Sequence, residues 1–425
     1  MSKQNTLFPI ILVTSLFFLW ALLHNMNPIL IPHLRKAFSL NDVQSSLIDT
    51  SAYISYFVIA IPAGIFMQRY GYKKGILLGL LLYALGALLV IPAASERSYL
   101  IFLTAIFITA AGATFLETVA NPYITILGDK KSATQRLNFA QSFNGLGAVV
   151  APILGGKFIL SGIEHSPEEL KAMSPSALQA YLQTEADTVK MPYLIIAAVV
   201  VCLLMLFVFT PLPEGQTEET DGAHTPPSHF SLAVFRHHHF RWAVISQFFY
   251  VGAQVGVSAF FIRFAHAVAA MDEKTAAYLL GSVAMMGFML GRFFGTFVMK
   301  FVKPPKLLAI FGFICVLLLV LALNTSGRIA LYAVSAVPFF MSIMYPTIFS
   351  LGIRQLTAAE TKIASSFLVM SIIGGALAPL AMGMVSLTSH SIQLAYLVPL
   401  ICFGVVFYYG IAGYKIKELK NEINA

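Results

Sequence analysis

Glu117 is the residue in this chain best suited to handling a proton. It is the only carboxylate in the middle of any apolar block. A charge inside a membrane span is costly, and such residues usually face a cavity and carry function. A carboxyl held there can take up and release a proton. The plainer alternative is a structural carboxyl tied to a neighbouring helix. Asn121 follows four residues later, so the two share a helix face, and Pro122 frees a backbone carbonyl nearby. Asn138, Gln141 and Asn144 recur at spacing three on the next apolar block. Amides both donate and accept, which suits a ligand rich in hydroxyls. They also serve as glue between membrane helices. A third set, Gln247, Tyr250, Gln254 and Ser258, makes a polar stripe at helical spacing that must face a cavity or another helix.

Other polar residues in apolar blocks have weaker claims. His24 is a second proton candidate, since histidine titrates near neutral pH. A hydrogen-bonded helix histidine is the equal alternative. Asp49 reads as an interfacial helix-start residue. Arg292 could pair with Glu117 or bind a ligand oxygen. A snorkelling arginine explains it as well, and Arg263 is a second intramembrane base. The run His237–His239 lies beside Arg236 and Arg241, which reads as a positive membrane-flanking loop rather than a metal tract. Trp20 reads as an ordinary packed aromatic, with a stacking platform for a ligand ring as the alternative. No metal site or cofactor is expected.

The elements that position these groups follow from composition. The chain has 425 residues, 58% hydrophobic and 11% charged. Soluble domains carry about a quarter charged residues, and a spanning helix needs about 20 apolar ones. Apolar blocks predict spans near 7–31, 46–68, 75–94, 99–121, 138–160 and 191–211, then 242–265, 276–300, 306–324, 328–352, 363–385 and 392–414. The expectation is an all-α membrane protein with twelve transmembrane helices in two six-helix halves. Residues 1–212 form the first half, 213–241 a polar cytoplasmic linker, and 242–425 the second half. The stretch 161–190, with several acids, reads as an outside loop.

Lysine and arginine set the orientation. The N-terminus, the even-numbered loops and the C-terminal tail carry 17 of them, and the odd-numbered loops carry 8. The positive-inside rule places both termini in the cytoplasm. The net charge of +8 is scattered between apolar blocks and does not point to nucleic acid. Cys202, Cys315 and Cys402 lie inside apolar blocks and read as small hydrophobes.

The two halves repeat. Gly64–Lys74 (GIFMQRYGYKK) echoes Gly295–Pro305, Asn121–Gly128 (NPYITILG) echoes Tyr345–Gly352 (YPTIFSLG), and Gly147–Pro152 echoes Gly374–Pro379, at offsets of about 224 to 231. Duplicated six-helix halves are the plan of a transporter with its site at their interface.

The loop Gly64, Arg69, Gly71, Lys73, Lys74 resembles the gating-loop signature of the major facilitator superfamily, with Gln68 where the family has aspartate. The runs FLETVANPYITILG from Phe115, RLNFAQSFNGLGA from Arg136, YVGAQ from Tyr250 and YPTIFSLG from Tyr345 resemble the fucose–galactose–proton symporter family. That resemblance implies sugar contact at Asn25, Gln141 and Asn144, a pore tyrosine at Tyr345, and proton coupling with sugar recognition at Glu117. Asn121 and Gln254 join the substrate set on their own chemistry. One departure stands out. Pro28 occupies the position of a family aspartate linked to coupling.

The expected function is therefore a proton-coupled symporter importing a hexose-type monosaccharide, such as L-fucose, galactose, glucose or N-acetylglucosamine. A sugar uniporter, an exporter of another small molecule and a non-transporting sugar sensor are the rivals. No H-E-x-x-H or G-x-S-x-G pattern supports an enzyme. The expected setting is a bacterial inner membrane, with the protein working as a monomer.

Overall fold

A computed structural model describes residues 7–25, 37–38, 40, 42–158, 169, 172–213 and 232–416. The side chains of His24 and Asp49 and the whole of Pro28 fall outside the described parts, as does most of the 213–241 segment.

The apolar blocks form helices because a chain in lipid must satisfy its backbone internally. The first span is Leu7–His24. The next two predicted spans belong to one run of helix, Asp42–Ser95, with a break at Gly71, where φ is 86°. A straight helix of 54 residues would reach about 80 Å, far beyond a hydrocarbon core of about 30 Å. Two crossings are therefore needed, and Gly71 supplies the backbone conformation that separates them. Tyr99–Ile126, Ala133–Phe158 and Lys190–Phe209 follow as the fourth to sixth spans.

The seventh span, His238–Ala269, begins earlier than the apolar pattern suggests. His238 and His239 lie in its first turn, and His239 is buried, so this pair is not part of a loop. The eighth span is Glu273–Leu279 continued through a π-helical turn, Leu280–Met285, into Met286–Val298. Pro304–Asn324 is the ninth. Gly327–Met341 and Met344–Gly352 together make the tenth. Ala358–Met370 and Gly374–Ser389 make the eleventh, and Leu397–Tyr408 lies in the twelfth.

A second difference from the sequence reading lies in the acidic stretch after the fifth span. Pro175–Asp187 is a helix, started by the Ser174 side chain accepting from the Ala177 N–H and by proline in the first turn.

The internal repeat has a packing counterpart. A Cβ on Gly147 would lie 2.8 Å from Ala21 Cβ and 2.9 Å from the Phe18 carbonyl, on the first span. A Cβ on its repeat partner Gly374 would collide with the Phe248 carbonyl, on the seventh. Each glycine lets the fifth helix of its set approach the first helix of that set.

The first six spans meet the last six mainly along the end that bears the 213–241 segment. There the second span lies against the eleventh, and a Cβ on Gly64 would collide with Ser366 Oγ. The fifth span lies against the eighth and tenth.

Candidate functional site

Glu117 lies on the fourth span, where every residue from Thr109 to Thr125 is buried. Glu117 as a residue is 7% exposed. Tyr56 of the second span and Tyr345 of the tenth present their phenols to it, and the Arg292 guanidinium of the eighth span is within electrostatic reach. A buried carboxyl is thus faced by two hydroxyls and one cation drawn from three other helices.

A chain of amides runs from this point. The Asn121 amide donates to the Glu117 carbonyl at 2.8 Å. The Gln141 amide donates to Asn121 Oδ1 at 3.0 Å. Arg292 closes the chain from the other side. Its Nη1 donates to the Gln141 carbonyl and to Asn144 Oδ1, the latter at 2.9 Å. Its Nε donates to the Ser342 carbonyl at 3.1 Å, and the guanidinium stacks over Phe288 at 4.5 Å. Arg292 is 3% exposed. A planar fork of donors suits this set of fixed acceptors better than an ammonium would. Snorkelling is excluded, because the head group is buried between the two sets of six spans.

Toward the segment-bearing end, the same face of the fifth span continues to bond across the interface. Asn138 donates to Thr347 Oγ1 at 3.1 Å, Thr134 and Ser350 hydroxyls meet at 2.7 Å, and Gln135 donates to the Thr296 carbonyl at 3.1 Å.

The last six spans contribute a different kind of polarity. Gln247 is fully buried, and among the described residues neither amide atom completes a hydrogen bond of ordinary geometry. The hydroxyls of Tyr250 and Tyr345 also complete no hydrogen bond of ordinary geometry. Their rings lie 6.4 Å apart, with Tyr250 next to Arg292.

Six of the residues singled out in the sequence therefore come together: Glu117, Asn121, Gln141, Asn144, Arg292 and Tyr345. Asn25 is not joined to them, and its amide donates to the Ala21 carbonyl at 2.7 Å, closing its own helix. Gln254 is half-buried, and its backbone carbonyl accepts from Ser258. Trp20 packs on Phe17 with ring centroids 4.4 Å apart, as an ordinary core aromatic would. Arg263 stacks over Phe260 and is exposed. Sequence reasoning missed Tyr56 and Phe288. The available signal for Tyr56 was its spacing of three from Tyr53 on an apolar helix.

The loop residues divide their work. Gly64 sits at the contact with the eleventh span, and Gly71 makes the break. Lys73 donates to the Val208 and Thr210 carbonyls, both at 2.9 Å, capping the sixth span. Arg69 is exposed over the Tyr70 ring. Lys362 of the eleventh span lies 5.1 Å over the Tyr72 ring, a cation–π contact that crosses between the two sets.

Comparison with known proteins adds to this geometry. The Major Facilitator Superfamily profile matches residues 12–379. The chain is 43% identical to an L-fucose-proton symporter of Escherichia coli, over 95% of this chain and 93% of that protein. It is 38% identical to a glucose/galactose transporter of Brucella abortus, over 97% of this chain and 96% of that protein. Among solved structures, a variant of the E. coli fucose:proton symporter FucP superposes with a TM-score of 0.88 at 41% identity, covering 96% of this chain and 98% of that one.

Proposed function

The chain belongs to the Major Facilitator Superfamily, a family of multi-pass membrane transporters, and on that premise we propose a proton-coupled symporter that imports a hexose-type monosaccharide. The relatives named for L-fucose, glucose and galactose support the cargo class. One observation carries the coupling. Arg292 is a buried cation from the last six spans that serves two masters in the first six, the oxygens of Gln141 (its backbone carbonyl) and Asn144 (its side-chain amide) and the carboxylate of Glu117.

Symport follows from that double duty. Residues 1–212 and 242–425 move as two bodies about the 213–241 linker, giving alternating access. With the linker end closed and cytoplasmic, the site faces outward. A sugar hydroxyl arriving at Gln141 and Asn144 competes with Arg292 for their oxygens. A proton on Glu117 removes the charge that attracts the guanidinium. Either event alone leaves Arg292 one tie across the interface. Both together release it, and the linker end parts. Glu117 takes the proton, with His24 as a second proton site. Asn121, Gln141, Asn144 and Tyr345 hold the sugar, joined by Asn25 and Gln254 as the bodies close. Gly64, Arg69, Gly71 and Lys73 form the gating loop. The protein works as a monomer in a bacterial inner membrane, both termini cytoplasmic.

The test is a sugar panel on proteoliposomes with internal pH recorded: L-fucose, D-galactose, D-glucose, D-mannose and N-acetylglucosamine. Entry of one sugar with internal acidification is the expected result. Pro28 favours a second reading, a uniporter, which equilibration without any pH change would establish. Failure of every sugar to move would reject the sugar reading itself.

A further inference from the structure

The polar atoms of the seventh span are buried in a way that side-chain packing does not explain. Gln247 has no exposed surface, and among the described residues neither its two amide atoms nor the hydroxyls of Tyr250 and Tyr345 complete a hydrogen bond of ordinary geometry. Leaving one such group unpaired is costly, and four atoms here share that condition. The back of the seventh span cannot relieve them. There Gly374 packs against the Phe248 carbonyl, and a Cβ on Gly252 would lie 2.8 Å from Ala378 Cβ. The stripe Ala243, Gln247, Tyr250 faces the tenth span instead. A Cβ on Gly352 would lie 2.6 Å from Ala243 Cβ, the Tyr250 ring lies 6.4 Å from that of Tyr345, and the Gln247 amide lies against the Tyr345 phenol. Tyr345 in turn faces Glu117.

We propose that the Gln247 amide and the Tyr250 hydroxyl form a sugar-hydroxyl subsite of the last six spans, sealed by Tyr345 in the present conformation and engaged when the Tyr345 ring turns aside. Once the Tyr345 phenol has turned aside, the amide can donate to one hydroxyl and accept from its neighbour, which fits a vicinal pair on a pyranose ring. A site built to bond a hydroxyl also rejects the analogue that lacks it. The subsite thus supplies selectivity at hydroxyls that the amides of the first six spans do not reach. It rests on the sugar-symport reading above.

The experiment is equilibrium binding to the purified full-length protein. The probes are L-fucose, D-galactose, D-glucose and the monodeoxy derivatives of the latter two at each ring position. The wild type should lose at least about tenfold in affinity when one particular hydroxyl is removed, or about 1.4 kcal/mol. Gln247→Met should bind the parent sugar as weakly as the wild type binds that deoxy analogue, and should no longer distinguish the two. Tyr250→Phe, which removes a single oxygen, should show the same loss of discrimination at the same or the adjacent position. Unchanged deoxy penalties at every position in both variants would overturn the subsite while leaving sugar binding intact, as would a uniform weakening of all probes. If the wild type binds none of the sugars, the symport reading fails and the subsite with it.

Discussion

The amides of the fifth span and the amide of the seventh span lie in opposite sets of six helices and have opposite conditions. Gln141 and Asn144 are locked into a bonded chain that ends on Arg292, whereas Gln247 is buried against the Tyr345 phenol and completes no hydrogen bond of ordinary geometry among the described residues. The first arrangement fixes side chains before any ligand arrives, so on the proposed mechanism sugar meets oriented groups and displaces a cation to reach them. The second stores the cost of unpaired polar groups in the resting conformation and returns it when a partner enters. A duplicated fold has thus put pre-organisation on one side of its interface and unmet bonding capacity on the other.

The largest effect expected concerns the carboxyl that both sides face. Glu117→Gln keeps the size and hydrogen bonding of the side chain but cannot cycle a proton. Sugar-driven internal acidification should vanish, while sugar exchange across the membrane stays within about tenfold of wild type. Persistent acidification in that variant would move the coupling elsewhere, with His24 the next residue to change. Arg292→Met comes second. It strands the acceptors on Gln141 and Asn144 and should cost ~2–3 kcal/mol in detergent melting experiments. Labels on the linker end should report a more open population at the same time.

Gln141→Leu is the third and sharper test. It breaks the bonded chain in its middle, leaving Asn121 Oδ1 without its donor, and should destabilise by ~1–3 kcal/mol. Gln247→Met, the same kind of change in the other set, should stay within ~0.5 kcal/mol of wild type or melt higher, because it removes two unpaired atoms and breaks no bond. Equal losses in the two variants would erase the contrast between the two sides.

Much of the architecture was legible because lipid demands long apolar runs and the chain supplies them at even intervals. What the runs hid was polar. The Pro175–Asp187 helix is acidic and outward, so composition reads it as a loop, although Ser174 and Pro175 already carry a helix-start signal. The break at Gly71 was expected as a short loop between bases and is a local change of backbone inside one helical run. Within the site, Glu117, Asn121, Gln141 and Asn144 were conspicuous as polar residues in apolar surroundings. The stripe on the seventh span was equally visible, yet its periodicity is the same whichever turn is deepest. Gln254 was therefore favoured over Gln247, which proves to be the fully buried member. Arg292 was open to two readings because a sequence does not tell which carbonyls a guanidinium will find.

At Gly64 the two sets of spans close on each other only because a side chain is absent. A gasket of that kind has no charge to screen, no proton to lose and no group for a modifying enzyme to alter. Salt and pH cannot loosen it directly. On the proposed mechanism, whatever opens this end arrives as leverage, transmitted along the helices from the layer of Glu117 and Arg292. The energy of the gradient is spent deep in the protein, and the place where the passage opens is only the far end of the lever.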